Sequence, residues 1–226
     1  MKILTTIISH SKNNRIHSFL ETWMKDITHP HDYLIIGDEK LSQRISDKCI
    51  FFNDCYPENR KVLSLKIYRT IEYILKNYDF DFWHKCDDDV VVNYKKLISY
   101  LKKYESSEDI YIGHRTFNRT HRYYAAGFNY IVSRNLLQKI FEILNKNPPN
   151  ETTNPHEDWV VGDAIKECNV NLIHDDNFVC PQTNISPAMQ FEYITKNPNL
   201  IAATIHKESS VYIPKIYRIL KVKKVL

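Results

Sequence analysis

Short apolar runs alternate with longer amphipathic stretches through the first half of the chain. Residues 2–9 are rich in β-branched side chains and predict a buried strand. Residues 15–24 carry apolar side chains at helical spacing, and the His29-Pro30 pair predicts that this helix has ended. Two further strands are predicted at 33–38 and 49–52.

The middle of the chain carries the strongest periodic signals. Apolar residues recur every three to four positions over residues 63–78, which predicts a long helix. That helix leads into the largely apolar segment 80–86, an acidic run and a second apolar segment at 90–92. Asn93 is then predicted to cap a helix whose apolar face extends to Tyr104.

The second half continues the alternation. The predicted elements are strands at 110–113 and 123–132, a helix from the cap Ser133 to a stop at Pro148-Pro149, a helix at 156–168 and a strand at 170–173. Strands that alternate with helices indicate a layered α/β domain. We therefore predict one α/β domain with a mixed, mostly parallel central sheet flanked by helices.

Composition narrows the function classes. At 226 residues and 43% hydrophobic, the chain can bury one sizeable core. The net charge of +4 includes no long polybasic block outside the C-terminal region, so no nucleic-acid partner is indicated. The four glycines form neither a GxGxxG nor a P-loop, which disfavours a dinucleotide-binding Rossmann site and a P-loop kinase. Five cysteines without CxxC spacing indicate neither a zinc site nor a full disulfide framework.

The C-terminal tail differs in composition from the rest. We divide the chain into a main domain at 1–210 and a basic amphipathic tail at 211–226. The tail is interpreted either as a helix at an anionic membrane surface or as a solvated or partner-packed end. No stretch reaches the roughly 20 apolar residues of a membrane helix, so we expect a cytoplasmic or peripheral membrane location.

Three consecutive carboxylates, Asp87-Asp88-Asp89, interrupt the apolar pattern. An isolated acidic triplet is most often a solvated turn. Here both flanks are apolar, so the turn is predicted at the edge of a buried sheet, where open α/β sheets bind ligands. Adjacent carboxylates disfavour each other's ionisation unless a cation neutralises them. We therefore expect Mn²⁺ or Mg²⁺ here, holding a phosphate-bearing substrate.

Five segments carry a family resemblance, in chain order. They are Asn14-Arg15 through Trp23, Leu63–Lys66, Phe82–Asn93, Tyr124–Gly127 through Arg134, and Glu157–Gly162. Together they resemble the Fringe-like and β1,3-galactosyltransferase-like enzymes. The resemblance implies a single GT-A-like nucleotide-sugar-binding domain and an inverting glycosyltransferase that uses a UDP-sugar.

The resemblance also implies roles for the charged residues. Asp89 would ligate the metal directly, Asp87 would face the donor ribose or a metal-bound water, and Asp88 would support the turn. Arg15 and Lys66 align with basic positions on the uridine-diphosphate side. The alternative for these two is that they are ordinary surface charges.

Asp158 is the candidate general base. In the predicted helix it precedes Val161 and Ile165 at helical spacing, so its carboxylate begins an otherwise apolar face. Acidic residues also favour helix N-termini because of the helix dipole, which explains the position without any chemistry. The resemblance favours the functional interpretation, in which Asp158 takes the proton of the acceptor hydroxyl.

His206 is the candidate third metal ligand. It follows the apolar run 200–205, late in the chain, where the resemblance places such a ligand. Manganese accepts an imidazole beside carboxylates, although it prefers oxygen. His174 and His84 are weaker alternatives.

The sequence therefore predicts a metal-dependent inverting glycosyltransferase. It would transfer a hexose or N-acetylhexosamine from a UDP-sugar to a hydroxyl of a glycan or glycoprotein acceptor. Paired carboxylates also build two-metal sites, so a metal-dependent nuclease or phosphohydrolase is one alternative. A non-catalytic nucleotide- or glycan-binding module, with the same fold but no working base, is another.

Overall fold

Strands and helices alternate along the chain. The computed structural model describes residues 1–12, 15–45, 47–55, 62–105, 107–117, 123–150, 156–181 and 184–222, so Asn14 and the last four residues of the tail lie outside the described residues. The strands are β1 (Ile3–Ile8), β2 (Asp32–Ile36), β3 (Cys49–Ile50), β4 (Phe82–Asp87), β5 (Val90–Val92), β6 (Tyr111–Phe117), β7 (Tyr123–Ser133), β8 (Ile173–His174), β9 (Phe178–Val179) and β10 (Ala202–Thr204). The helices are α1 (Ile16–Leu20), α2 (Glu39–Arg44), α3 (Leu63–Asn77), α4 (Tyr94–Leu101), α5 (Arg134–Lys146), α6 (Glu157–Glu167), α7 (Pro187–Lys196) and α8 (Ser209–Val222).

The central sheet has the strand order β3-β2-β1-β4-β7-β6-β8. Strands β3, β2, β1 and β4 are parallel, while β7 runs antiparallel to both β4 and β6. The last residue of β1, Ile8, pairs with Asp87, the last residue of β4. The predicted mixed, mostly parallel sheet is confirmed, and the acidic run lies at its carboxyl edge.

A second sheet has three strands in the order β5-β10-β9. Thr204 of β10 pairs with Val90 of β5, and the Ile205 N–H donates to the Asp89 carbonyl at 2.9 Å. The Trp23 indole N–H also donates to the Val90 carbonyl, at 3.0 Å. The three aspartates thus form the link between the two sheets.

Helices cover both faces of the central sheet. Successive residues of a strand point to opposite faces. Phe82 therefore packs in the cluster that includes α1, α4, α7 and α8, and Trp83 in the cluster that includes α3, α5 and α6. Burial on both faces explains why β1 and β4 are so rich in apolar residues.

Three parts of the prediction differ from the structure. The helix predicted at 15–24 is the short α1 followed by a 3-10 helix at Trp23–Asp26. The strand predicted at 170–173 is wrong except at its last residue. Asn169 has a φ of 58°, and the Val170 N–H bonds back to the last turn of α6 rather than to the sheet. Helices α2 and α7 and strands β9 and β10 are absent from the sequence-based prediction.

Helix α8 forms most of the C-terminal tail and packs on α1 and α7. Its apolar residues Ile213, Ile216 and Leu220 are buried, and Lys221 pairs with Asp26 at 2.8 Å. The apolar face of this helix is therefore buried against other helices of the same chain. Among the described residues, no helix combines the length and the apolar character needed to cross a bilayer.

Candidate active site

The acidic turn, Asp87-Asp88-Asp89, connects β4 to β5. Asp88 is buried, and the side chains of Ser9 and Arg15 both bond to it. The Ser9 hydroxyl donates to Asp88 Oδ2 at 2.9 Å, and Arg15 Nη1 donates to Asp88 Oδ1 at 3.0 Å. Asp88 is therefore held within the turn, and Arg15 packs against the acidic turn.

The negative charges of Asp87 and Asp88 near Asp89 outweigh the single positive charge of Arg15. Arg15 Nη1 lies 3.7 Å from Asp89 Oδ2, and the Thr204 hydroxyl donates to Asp89 Oδ1 at 3.1 Å. Burial, together with the carboxylates of Asp87 and Asp88, raises the pKa of Asp89 to about 7. A cation beside Asp89 would relieve this repulsion.

A fully buried lysine, Lys85, lies between the acidic turn and helix α6. Its Nζ is 2.7 Å from Asp87 Oδ1 and 2.6 Å from Glu157 Oε1, and it also donates to the Gly127 carbonyl. Burial acts to lower the pKa of Lys85, but the two carboxylates raise it overall, so the ammonium keeps its charge. Burial acts to raise the pKa of Glu157, and the neighbouring Lys85 ammonium opposes the effect.

The first turn of α6 brings Asp158 against β7. Asp158 Oδ2 accepts the Gly127 N–H at 3.1 Å, and Oδ1 accepts the Trp159 N–H at 3.0 Å. A Cβ on Gly127 would lie 3.0 Å from Glu157 Oε1 and 3.2 Å from Asp158 Oδ2, so the glycine permits this close approach. Burial raises the pKa of Asp158, although Lys85 and the two N–H groups oppose the effect. A raised pKa suits a group that must accept a proton.

His206 follows β10 and is placed by α7. Its backbone N–H donates to Gln190 Oε1 at 3.3 Å, while its Nε2 is buried and has no hydrogen-bond partner. Burial lowers the pKa of His206, while a backbone hydrogen bond to Pro181 and the charge of Asp87 act in the opposite direction. The alternatives lie elsewhere: His84 bonds to Thr5 and Asn129 within the central sheet, and His174 contacts Asp176.

The donors around the acidic turn fit a hard divalent cation. Asp89 offers a crowded carboxylate, and His206 offers a buried nitrogen that lacks a partner. Asp87 would be a weaker ligand, because its Oδ1 is already paired with Lys85. Within the described part of the chain, no group of three or more histidine, cysteine, aspartate or glutamate side chains is arranged to hold a metal ion by itself. An ion here would therefore need oxygens from solvent or substrate, as Mg²⁺ does at phosphate sites.

Lys66 is buried and lines a cavity of about 260 Å³ near the ends of β2 and β3. The other lining residues are Gly37, Asp38, Glu39, Phe51, Phe52, Asn53 and Cys55. Burial acts to raise the pKa of Asp38, but hydrogen bonds from Ser11 and Leu41 lower it overall. The cavity therefore combines an aromatic side with a positive and a negative group.

An aromatic pair lies next to the Asp158 carboxylate. Trp159 Nε1 donates to the Tyr124 hydroxyl at 2.5 Å, and the indole stacks on His156 with ring centroids 4.5 Å apart. His156 is exposed and Trp159 is half-buried. The stacked rings of Trp159 and His156 can pack against the apolar face of a bound ring.

Lys85 and Glu157 are absent from the sequence-based candidates. A lysine inside the apolar strand β4 is the signal that points to them, because lysine is almost never fully buried without a charged partner. Its partners come from α6 and the acidic turn, and the spacing along the chain does not reveal that contact.

The Fringe-like family profile matches residues 3–213. Beta-1,3-N-acetylglucosaminyltransferase lunatic fringe of Danio rerio is 28% identical over 107 residues, which are 47% of this chain and 28% of that protein. The match thus spans less than a third of that relative.

Two solved structures share the fold. One is a glycosyltransferase involved in the glycosylation of the major capsid of PBCV-1, with a TM-score of 0.59 and 13% identity over 96% of this chain and 99% of that one. Glycosyltransferase GlyE of Streptococcus pneumoniae TIGR4 has a TM-score of 0.51 and 11% identity over 100% of this chain and 64% of that one. These structures establish the fold, and the family profile covers nearly the whole sequence. This chain belongs to the Fringe-like family of glycosyltransferases.

Proposed function

We propose that this chain is a metal-dependent, inverting glycosyltransferase. It transfers a hexose or an N-acetylhexosamine from a UDP-sugar to a hydroxyl of a glycan or glycoprotein acceptor. The observation that carries this proposal is the connection of the acidic turn to Asp158 through Lys85 and Glu157. One side of the site suits a diphosphate with its cation, and the other suits a hydroxyl that must lose a proton.

Asp158 acts on the acceptor. Its carboxylate takes the hydroxyl proton as the acceptor oxygen bonds to the anomeric carbon of the donor. The bond from that carbon to the UDP oxygen breaks, and its electron pair leaves with UDP. A single displacement of this kind inverts the configuration, and it needs no second carboxylate as a nucleophile.

The acidic turn acts on the leaving group. Asp89 and His206 would hold Mn²⁺ or Mg²⁺, with Asp87 as a further ligand, and the ion supplies charge stabilisation for the departing diphosphate. Arg15 adds a fixed positive charge at the same turn, and Asp88 keeps Arg15 in place.

The cavity beside Lys66 is our candidate for the uridine moiety. Phe51 and Phe52 offer apolar surface to a flat base, and the Asp38 carboxylate lines the same cavity and could accept the single N–H of that base. Lys66 would then face the phosphates. On the acceptor side, Trp159 and His156 would support the sugar ring whose hydroxyl reaches Asp158.

Calorimetry and a donor screen test the proposal. UDP should bind in the presence of Mn²⁺ and more weakly after EDTA treatment, UMP should bind less tightly, and a short DNA should not bind. Incubation with UDP-sugars and mixed glycan acceptors should release UDP. Failure of every UDP-sugar to release UDP would contradict the proposal.

The two alternatives predict other results. A two-metal nuclease or phosphohydrolase would bind DNA or cleave phosphate esters with Mn²⁺. It also needs a carboxylate cluster for two ions, and no such cluster occurs among the described residues. A non-catalytic module would bind UDP or glycan without turnover.

A further inference from the structure

The Lys85 ammonium is the point where β4, β7 and α6 meet. It contacts Asp87 of β4, the Gly127 carbonyl of β7 and Glu157 of α6. Only 1% of the Lys85 side chain and 4% of the Glu157 side chain are exposed. A charge with so little access to water is stable only with well-placed partners, and removing one partner leaves the other buried and unpaired. The contact therefore restricts the relative positions of all three elements.

Two short paths lead from Lys85 to Asp158. Glu157 precedes Asp158 in the first turn of α6, so the ion pair holds the backbone that carries the base. Gly127 provides the second path, because its carbonyl accepts from Lys85 while its N–H donates to Asp158 Oδ2 at 3.1 Å. On the other side, Lys85 holds Asp87 at 2.7 Å, at the start of the acidic turn.

We propose that Lys85 and Glu157 form a positioning pair that keeps the Asp158 carboxylate at a fixed place relative to the donor side of the site. This inference rests on the proposed function, in which Asp158 is the base. Neither member of the pair touches the reacting atoms. Lys85 acts through Asp87 and Gly127, and Glu157 acts through the helix turn that it shares with Asp158.

Lys85→Met tests the pair, with Lys139→Met as the matched control. Lys139 makes an exposed ion pair with Asp109 at 2.5 Å. A base displaced by about 1 Å should lower kcat by about 100-fold, while the acceptor KM stays near its parent value. Mn²⁺ affinity, measured by calorimetry, should stay equal or rise, because a positive charge beside Asp87 has been removed. A kcat equal to that of the control, or a parallel loss of kcat and Mn²⁺ affinity, would overturn the proposal.

Glu157→Gln decides the question if Lys85→Met does not fold. It keeps the side-chain size and leaves Lys85 paired with Asp87. We expect kcat to fall by at least about 10-fold with UDP and Mn²⁺ affinities unchanged. Where the Lys85→Met/Glu157→Gln variant folds, it should lose no more than the larger single loss, because the two residues act as one unit. Unchanged kcat in Glu157→Gln, or additive losses in the double variant, would contradict the pair.

Failure of the proposed function has a different signature. If the parent protein binds UDP but releases none from any UDP-sugar, the proposed transferase activity is wrong. That result does not test the pairing of Lys85 with Glu157. The contact between Lys85 and Glu157 could then still be measured in thermal melts. The fall in melting temperature of the double variant should differ from the sum of the falls in the two single variants. Additive shifts of the melting temperature in that case would overturn the positioning pair as well.

Discussion

Asp89 and Asp158 are both carboxylates with raised pKa values, but their neighbours differ. Asp89 lies in the acidic turn beside Arg15 and Thr204. Asp158 accepts N–H groups from Gly127 and from its own helix. In the proposed mechanism one acts on the leaving group and the other on the acceptor. Substitutions at the two positions should therefore fail in different ways.

Asp158→Asn keeps size and removes proton acceptance. Transfer should fall by about 10²–10⁴-fold, the usual contribution of a general base. UDP and Mn²⁺ affinities should not change. If Asp158 only stabilises the start of α6, the substitution costs up to about 1 kcal/mol of stability and leaves transfer intact. Asp163→Asn, on the exposed side of the same helix, is the matched control for melting temperature and transfer rate.

Asp89→Asn should weaken Mn²⁺ and UDP binding together. The parent should also show a pH dependence, because protons compete with the ion for a carboxylate whose pKa is raised to about 7. Mn²⁺ affinity should rise by about tenfold per pH unit from pH 5 to 7 and level off above that. Calorimetry across this range measures both effects. Retained affinity in Asp89→Asn would remove Asp89 as a ligand, and Asp176→Asn is the exposed control.

At the scale of elements, the packing of α6 on β7 depends on Gly127. Gly127→Ala would add a Cβ against the Glu157 and Asp158 carboxylates and push the first turn of α6 away. We expect kcat to fall by at least about 10-fold, with UDP affinity retained.

Gly113→Ala is the control for Gly127→Ala. Its Cβ would meet the Ala125 side chain at 2.7 Å, away from the carboxylates. It should cost about 1–3 kcal/mol of stability through overpacking without a matching loss of kcat. Equal kcat in the two variants would contradict the role given to Gly127.

The long elements could be predicted from the sequence, and the short ones could not. Strand β1 is a continuous run of buried residues, and the buried residues of helix α3 recur at helical spacing, so both elements can be recognised in the sequence. Strands β9 and β10 have two and three residues, which is too short for any period. Strand β10 is positioned by pairing with β5, and β9 by pairing with β10, and the pairing of β10 with β5 joins distant segments of the chain.

Some residues of the candidate site could likewise be predicted from the sequence, and others could not. The acidic turn and Asp158 stand out locally, since carboxylates interrupt apolar patterns there. Lys85 and Glu157 become a pair only when β4 and α6 meet across 72 positions of sequence. The unpartnered Nε2 of His206 depends on burial by the folded chain, which the sequence does not display.

At the scale of the whole molecule, His84 should make the protein sensitive to acid. It is fully buried in the central sheet between Thr5 and Asn129. Burial lowers its pKa to about 3, although the Asn129 hydrogen bond opposes the effect. The unfolded chain, with a histidine pKa of about 6.5, binds this proton first as the pH falls. The free energy of unfolding should therefore lose about 1.4 kcal/mol per pH unit between pH 6.5 and 3 from this residue.

Denaturant unfolding of His84→Gln from pH 4 to 7 checks this expectation. The free energy of unfolding of His84→Gln should depend less steeply on pH than that of the parent, whereas the exposed control His17→Gln should keep the parent's dependence. The carboxylates with raised pKa values titrate in all three proteins and cancel in the comparison. Identical slopes in His84→Gln and the parent would show that His84 does not control acid sensitivity.

The link between the two sheets also bears on local opening of the backbone. The Ile205 amide bonds to the Asp89 carbonyl, so its hydrogen exchange reports directly on the acidic turn. Binding of UDP with Mn²⁺ should slow deuterium uptake at residues 202–205 and leave the interior of β1 unchanged, and Asp89→Asn should abolish this protection. Uptake that is the same with and without ligand would show that the turn and the small sheet open independently. If protection appears, the three-stranded sheet is a built-in sensor of donor-site occupancy that mass spectrometry can read without any knowledge of the acceptor.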